Sequence, residues 1–158
     1  MADAAVPMQR SRTFPVTVEA AFDAVLVLPL EQLFDRRWGP LPPIRGTAGQ
    51  QGAWGTVGQS RTIHLADGGT MCEELTRVQR PETFAYTITD VTGPMRALAA
   101  WVEGRWDFAA AGTGVRVTWA WTVHPRTAAT AALLPLFARA WQGYARQALD
   151  RLEDVLVP

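Results

Sequence analysis

The stretch ALAAWVEGRWDFA (97–109), followed after a short AAGTG turn by VRVTWAWTVHP (115–125), decides the fold. Val102, Trp106 and Phe108, then Val115, Val117, Trp119, Trp121 and Val123, fall on one face, while Glu103, Arg105, Asp107, Arg116, Thr118 and Thr122 take the other. This period of two belongs to antiparallel strands with one dry and one wet side. The dry side needs a cover, and residues 127–156 supply it. Leu133, Phe137, Ala140, Trp141, Tyr144, Ala148, Leu152 and Val155 recur at helical spacing, opposite Arg139, Gln142, Arg146, Asp150 and Asp154. Pro135 should start the main helical segment or kink it. His124, next to Pro125, should end the last strand.

Working back from this pair, TFAYTITDV (83–91) reads as a further strand, joined to it by a loop at Thr92 to Met95. RTIHLA (61–66) and TMCEELTRV (70–78) flank Asp67-Gly68-Gly69 as a hairpin, because a short connection needs a residue at positive φ. From Gly46 to Gly58 a glycine falls at every third position, too few triplets and without proline for collagen, and wrongly spaced for a dinucleotide loop. That segment reads as a bulged edge with Trp54 as its one large anchor, or as a lip over a ligand site. MQRSRTFPV (8–16) is a first strand, and Thr17 can cap a helix carrying Val18, Ala21, Phe22, Val25 and Leu26. Pro29 ends it, and Leu30, Leu33 and Phe34 suggest a second short helical turn. The expected class is α+β: a curved antiparallel sheet covered by a long C-terminal helix, with two short helices after strand one.

A chain of 158 residues fits one domain, residues 1–158, and can bury about 68–70% of its unfolded surface without a disulfide or metal. Fifteen basic and fifteen acidic side chains leave no net charge, which argues against a nucleic-acid partner. Lysine and asparagine are absent, so Schiff-base and phosphate-loop lysines and a papain-type orienting asparagine are excluded. Cys72 is the only cysteine, and His64 and His124 alone make no three-ligand zinc site, so neither metal nor other cofactor is expected. Pro29, Glu31 and Asp35 interrupt the longest apolar run, at 20–34, and the N-terminus with Asp3 lacks a basic-then-apolar signal. The expectation is a cytoplasmic protein with no membrane span, monomeric or homodimeric.

From Arg10 to Leu156 the order of elements resembles the helix-grip fold of the START-related superfamily, also called SRPBCC, within its polyketide cyclase/dehydrase and lipid-transport group. The residues that carry the resemblance are Gly58-Gln59-Ser60-Arg61-Thr62, the Asp67-Gly68-Gly69 turn, Glu73-Glu74-Leu75, and Arg80-Pro81 before Tyr86. Glu103-Gly104-Arg105-Trp106-Asp107-Phe108 and Gly114-Val115-Arg116-Val117-Thr118-Trp119 complete the set. The resemblance implies a cavity between the sheet's concave face and the long helix, holding a hydrophobic small molecule of lipid or polyketide type. It also implies an alternative, a cyclase or aromatase using polar pocket residues for acid-base chemistry.

The residues expected to line that cavity are Ile63, Leu65 and Ile88, the aromatic set Trp106, Phe108, Trp119, Trp121, Phe137 and Trp141, and the polar set Arg61, Glu73, Tyr86 and Tyr144. If Asp67-Gly68-Gly69 is the whole loop, Leu65 faces Met71, Ile63 faces Glu73 and Arg61 faces Leu75. Arg61 and Glu73 are then diagonal neighbours, with Arg77 a third polar member of the inward face. They can bond each other or a ligand's polar end, whereas an Arg61 at the sheet rim would reach water instead. The same register sets His64 opposite Cys72 on the outer face, but no third orienting group is identifiable for a nucleophilic pair. Tyr86, between Phe84 and Ile88 at i±2, points to the dry face, where its hydroxyl needs a partner.

Overall fold

The computed structural model describes residues 4–158; the expectation that rests on Asp3 lies outside them. The elements follow in the order β1 (Val6–Phe14), α1 (Val18–Val27), α2 (Leu30–Leu33), β2 (Ile44–Ala48), β3 (Ser60–Leu65), β4 (Thr70–Gln79), β5 (Thr83–Thr89), a 3-10 turn (Pro94–Ala97), β6 (Ala99–Ala111), β7 (Gly114–Pro125), α3 (Ala128–Ala131) and α4 (Leu134–Leu156). The strands form one antiparallel sheet in the order β1-β7-β6-β5-β4-β3-β2, so the chain's first strand closes against its last. This is the helix-grip arrangement: one face of the sheet curls around α4, with α1 and α2 filling the gap after β1.

Local chemistry explains the boundaries. The Thr17 hydroxyl accepts from Ala20 N at 3.1 Å and caps α1. Pro135 stands in the first turn of α4, where its missing N–H costs nothing. The helix covers the sheet with Leu134, Trp141, Tyr144, Ala145, Ala148, Leu149 and Leu152, a stripe of period 3.6. Because α4 begins at Leu134, the stripe is offset from the sequence expectation: Leu133 and Val155 are exposed, and Leu134, Ala145 and Leu149 are inside. The expected end of β7 is also corrected. His124 lies within the strand, its ring stacked 3.7 Å from that of Trp101.

The β3–β4 hairpin differs from expectation by two residues. Leu65 N donates to Gly69 O at 2.9 Å and Gly68 N to Leu65 O at 3.1 Å, so the loop is Ala66-Asp67-Gly68, with Gly68 at φ 89°. Asp67 Oδ1 secures it by accepting from Gly69 N at 2.8 Å. Ile63 therefore pairs with Met71, Arg61 with Glu73 and His64 with Thr70, while Cys72 pairs with Thr62 instead of His64. A slip of two preserves the faces, so Arg61, Ile63, Leu65, Met71, Glu73 and Leu75 still point inward. Arg77 does not. The β4–β5 register shifts between Leu75 and Arg77, and this bulge turns Arg77 out to bond Gln79 and Val78 inward instead.

Candidate functional site

Under the sheet the apolar interior divides. Towards β1 and β7, α4 lies close to the strands: Gln142 Nε2 donates to Gln9 O at 2.9 Å, and Arg12 bonds Asp150 and Glu153. Towards β3, β4 and β5 the helix stands away and a hollow of ≈ 710 Å³ opens. Its floor is Ile63 and Leu65 of β3, Met71 of β4, Phe84 and Ile88 of β5, and the indoles of Trp106, Trp119 and Trp121. Its walls are Val25 and Leu26 of α1 and Leu28 just after it, Leu30 and Leu33 of α2 with Phe34 at its end, Leu41, Pro42 and Ile44 beyond them, and Phe137, Ala140 and Tyr144 of α4. Exposed wall members Pro40, Pro94, Leu133, Leu136 and Arg139 mark its mouth.

Eleven of the thirteen side chains expected on this wall are on it: Arg61, Ile63, Leu65, Glu73, Tyr86, Ile88, Trp106, Trp119, Trp121, Phe137 and Tyr144. Phe108 and Trp141 are not. Phe108 packs edge-on against Phe22 of α1 at 5.3 Å, and Trp141 lies against Trp119 at 4.6 Å, fully buried. Both are core residues, because α1 and the close half of α4 reach them first. The α2 residues and the Pro94–Leu98 turn escaped sequence reading as wall, since short helical and turn segments carry too few residues to show a face.

Three of the polar wall groups, Arg61, Glu73 and Tyr86, gather at one place, whereas Asp67 and Arg139 are exposed. Arg61 and Glu73, directly opposite on β3 and β4, are the only buried charged residues among those described, and Arg61 Nε donates to Glu73 Oε1 at 2.6 Å. The guanidinium lies 3.9 Å over the Trp54 ring, and its Nη1 donates to Gln50 Oε1 at 3.4 Å. The glycine-rich segment after β2 thus folds over Arg61 through Trp54. Burial pushes the Glu73 carboxyl above its ordinary value, and the neighbouring Arg61 charge only partly offsets this.

Tyr86 occupies the slot beside them. Its oxygen accepts from Trp119 Nε1 at 2.9 Å and from Trp121 Nε1 at 3.0 Å. Burial, followed by the charge of Glu73, holds its proton far above the ordinary phenol range. Gly104, paired with Tyr86 across β5 and β6, makes the slot: a Cβ there would stand 2.2 Å from the Tyr86 ring. A glycine at a dry-face position between Val102 and Trp106 was the visible sign of this slot in the sequence. Tyr144, by contrast, donates to Pro42 O at 2.9 Å and stacks on Phe34 at 5.4 Å, so it braces the wall. Burial and then Asp35 raise its pKa as well.

On the outer face His64 is exposed and Cys72 half-buried, on positions that do not pair. Among the described residues no three His, Cys, Asp or Glu side chains gather as a metal site, and no helix is long and apolar enough to cross a membrane.

The same architecture recurs in solved structures at low sequence identity. Ara h 8.0201 superposes with a TM-score of 0.68 at 17% identity, covering 97% of this chain and 98% of that one. Ginseng major latex-like protein 151 from Panax ginseng gives 0.71 at 11% identity, covering 98% and 99%. The protein XoxI from Bacillus cereus gives 0.67 at 18%, covering 96% of each. No curated protein matches the sequence significantly. Residues 5–157 match the family described as polyketide cyclase / dehydrase and lipid transport, and the chain belongs to that family within the START-related superfamily.

Proposed function

We propose that the chain acts as a single cytoplasmic domain, monomeric or homodimeric, that binds a hydrophobic small molecule of lipid or polyketide type in the hollow under β3–β5, without a metal or nucleotide. The observation that carries this is the division of the wall. The hollow's volume, ≈ 710 Å³, lies within the roughly 300–1,000 Å³ of small-molecule sites, and its surface is aromatic and aliphatic except for the Arg61–Glu73–Tyr86 end and for Asp67, Arg139 and Tyr144. An apolar void of this size forfeits packing that a ligand would restore.

A second reading, a cyclase or dehydratase of the polyketide type, draws on one feature: Glu73, its pKa raised, shares the polar end with a tyrosine that keeps its proton. Such a pair suits acid-base assistance to a ketone. The carrier reading stands first because Glu73 Oε1 is already tied to Arg61 at 2.6 Å. The two separate by experiment. Tryptophan emission titrated with a panel of fatty acids and polycyclic aromatics should shift and saturate at micromolar concentration for at least one member of the panel, and no product should form on incubation. A flat response across the panel would remove both readings, and a cyclised product that Tyr86→Phe fails to make would reverse their order.

A further inference from the structure

The polar end of the hollow has an asymmetry that limits what it can hold. A phenol oxygen both donates and accepts, but Tyr86 receives two indole N–H groups, so its acceptor side is filled and only its own O–H remains. The ring lies directly on Gly104, where a Cβ would stand 2.2 Å from it. Among the described residues no group accepts the Tyr86 proton, although the side chain is only 6% exposed and lies on the cavity wall. A buried donor without an acceptor is a costly arrangement that a ligand oxygen would relieve.

Beside it, the Arg61 charge is already matched. A carboxylate binds arginine best through a fork of two neighbouring N–H groups. Each fork of Arg61 includes either Nε, bonded to Glu73, or Nη1, directed to Gln50, and one flat face is covered by Trp54. An incoming carboxylate would meet the Glu73 carboxylate with no unmatched cation to receive it. The only other cation on the wall, Arg139, is exposed at the mouth. The nearby floor is aromatic, with the rings of Trp106 and Trp119 stacked 5.6 Å apart and 15° from parallel and Trp121 edge-on to Trp119, a surface on which a ring system can pack.

We propose that the ligand is an uncharged, planar or polycyclic molecule whose ketone or comparable carbonyl oxygen accepts the Tyr86 hydroxyl, and that the site rejects ligands ending in a carboxylate, fatty acids included. The inference rests on the hollow being a binding site and narrows what that site selects.

The full chain is titrated with three probes of one shape, anthracene, 2-acetylanthracene and anthracene-2-carboxylate, at about pH 8 where the acid is ionised. The ketone should bind about three- to tenfold more tightly than the hydrocarbon, the range of one net hydrogen bond, and the carboxylate more weakly than the hydrocarbon. In Tyr86→Phe the ketone should lose its advantage while anthracene still binds; if that variant does not fold, the order in the wild type decides alone. A carboxylate that binds as well as the ketone, or a ketone no better than anthracene, overturns the inference and leaves the hollow as a binding site. Failure of all three to bind overturns the binding reading and this inference with it.

Discussion

The two halves of the grip are built from the same alternating strands, yet one is solid and the other hollow. In the solid half α4 presents Ala145 and Ala148 beside Leu149 and Leu152, and these small side chains let it lie along β1 and β7, held by Arg12 and Gln142. Phe22 of α1 fills what is left, 5.8 Å from Phe84 and 5.3 Å from Phe108. In the hollow half the helix presents Phe137 and Tyr144, and Tyr144 leans on Pro42 and Phe34 as well as on Trp119 of β7. Period two decides only which side chains point inward. Whether they meet an opposing surface is decided by side-chain size on the helix and by how the segment between α2 and β2 props it.

The largest effects should separate the halves by stability. Phe22→Ala in the solid half should cost about 3–5 kcal/mol, the usual range for a fully buried phenylalanine. Phe137→Ala, half-buried on the cavity wall, removes contacts from one side only and should cost about 1 kcal/mol while weakening ligand binding. Urea denaturation of both variants checks the contrast, and equal losses would mean that the hollow is as tightly packed as the rest.

At the polar end, Glu73→Leu alone leaves Arg61 buried without its partner and should cost about 3 kcal/mol. Changing both, Arg61→Met with Glu73→Leu, should recover most of that loss, since an apolar pair of similar volume carries no desolvation penalty. A double variant as unstable as the single would show that the pair holds the Trp54 segment in place and does not merely neutralise itself.

A smaller effect concerns pH. Burial raises the Glu73 pKa in the folded chain, so its linked contribution is fully present below the ordinary carboxylate value and is lost as pH rises through the raised one. The stability of the wild type relative to Glu73→Gln should therefore be greatest in acid and decline towards neutrality, a trend that denaturation between about pH 4 and 8 would reveal. An advantage that grows with pH would mean that Arg61 lowers the Glu73 pKa and outweighs burial.

These contrasts also mark how far the sequence could be read. The sheet, its dry face and the long helix follow from alternation in 97–125 and the apolar stripe after Pro135, because each signal repeats over many residues. The inward positions of Arg61 and Glu73 followed too, since a slip of two in the hairpin leaves every face unchanged. The phase of Arg77 did not, because one extra residue at a bulge leaves no trace in composition. Phe108 and Trp141 could not be told from Trp106 and Trp119, because a wall and a core ask for the same side chains, and only the path of α1 and α4 distinguishes them. The partners of Tyr86 were equally out of reach, since they depend on three strands meeting at Gly104.

If the space under β3–β5 is where a ligand sits, filling that space must abolish binding. The direct test titrates 2-acetylanthracene into the wild type and into Ile63→Trp, a substitution that fills the floor of the hollow, with circular dichroism confirming that both are folded. Tryptophan quenching should saturate one-to-one in the wild type, and binding should be at least about tenfold weaker in the filled variant, the loss expected when an apolar pocket is blocked. Equal binding by the two proteins would contradict this and place the ligand elsewhere.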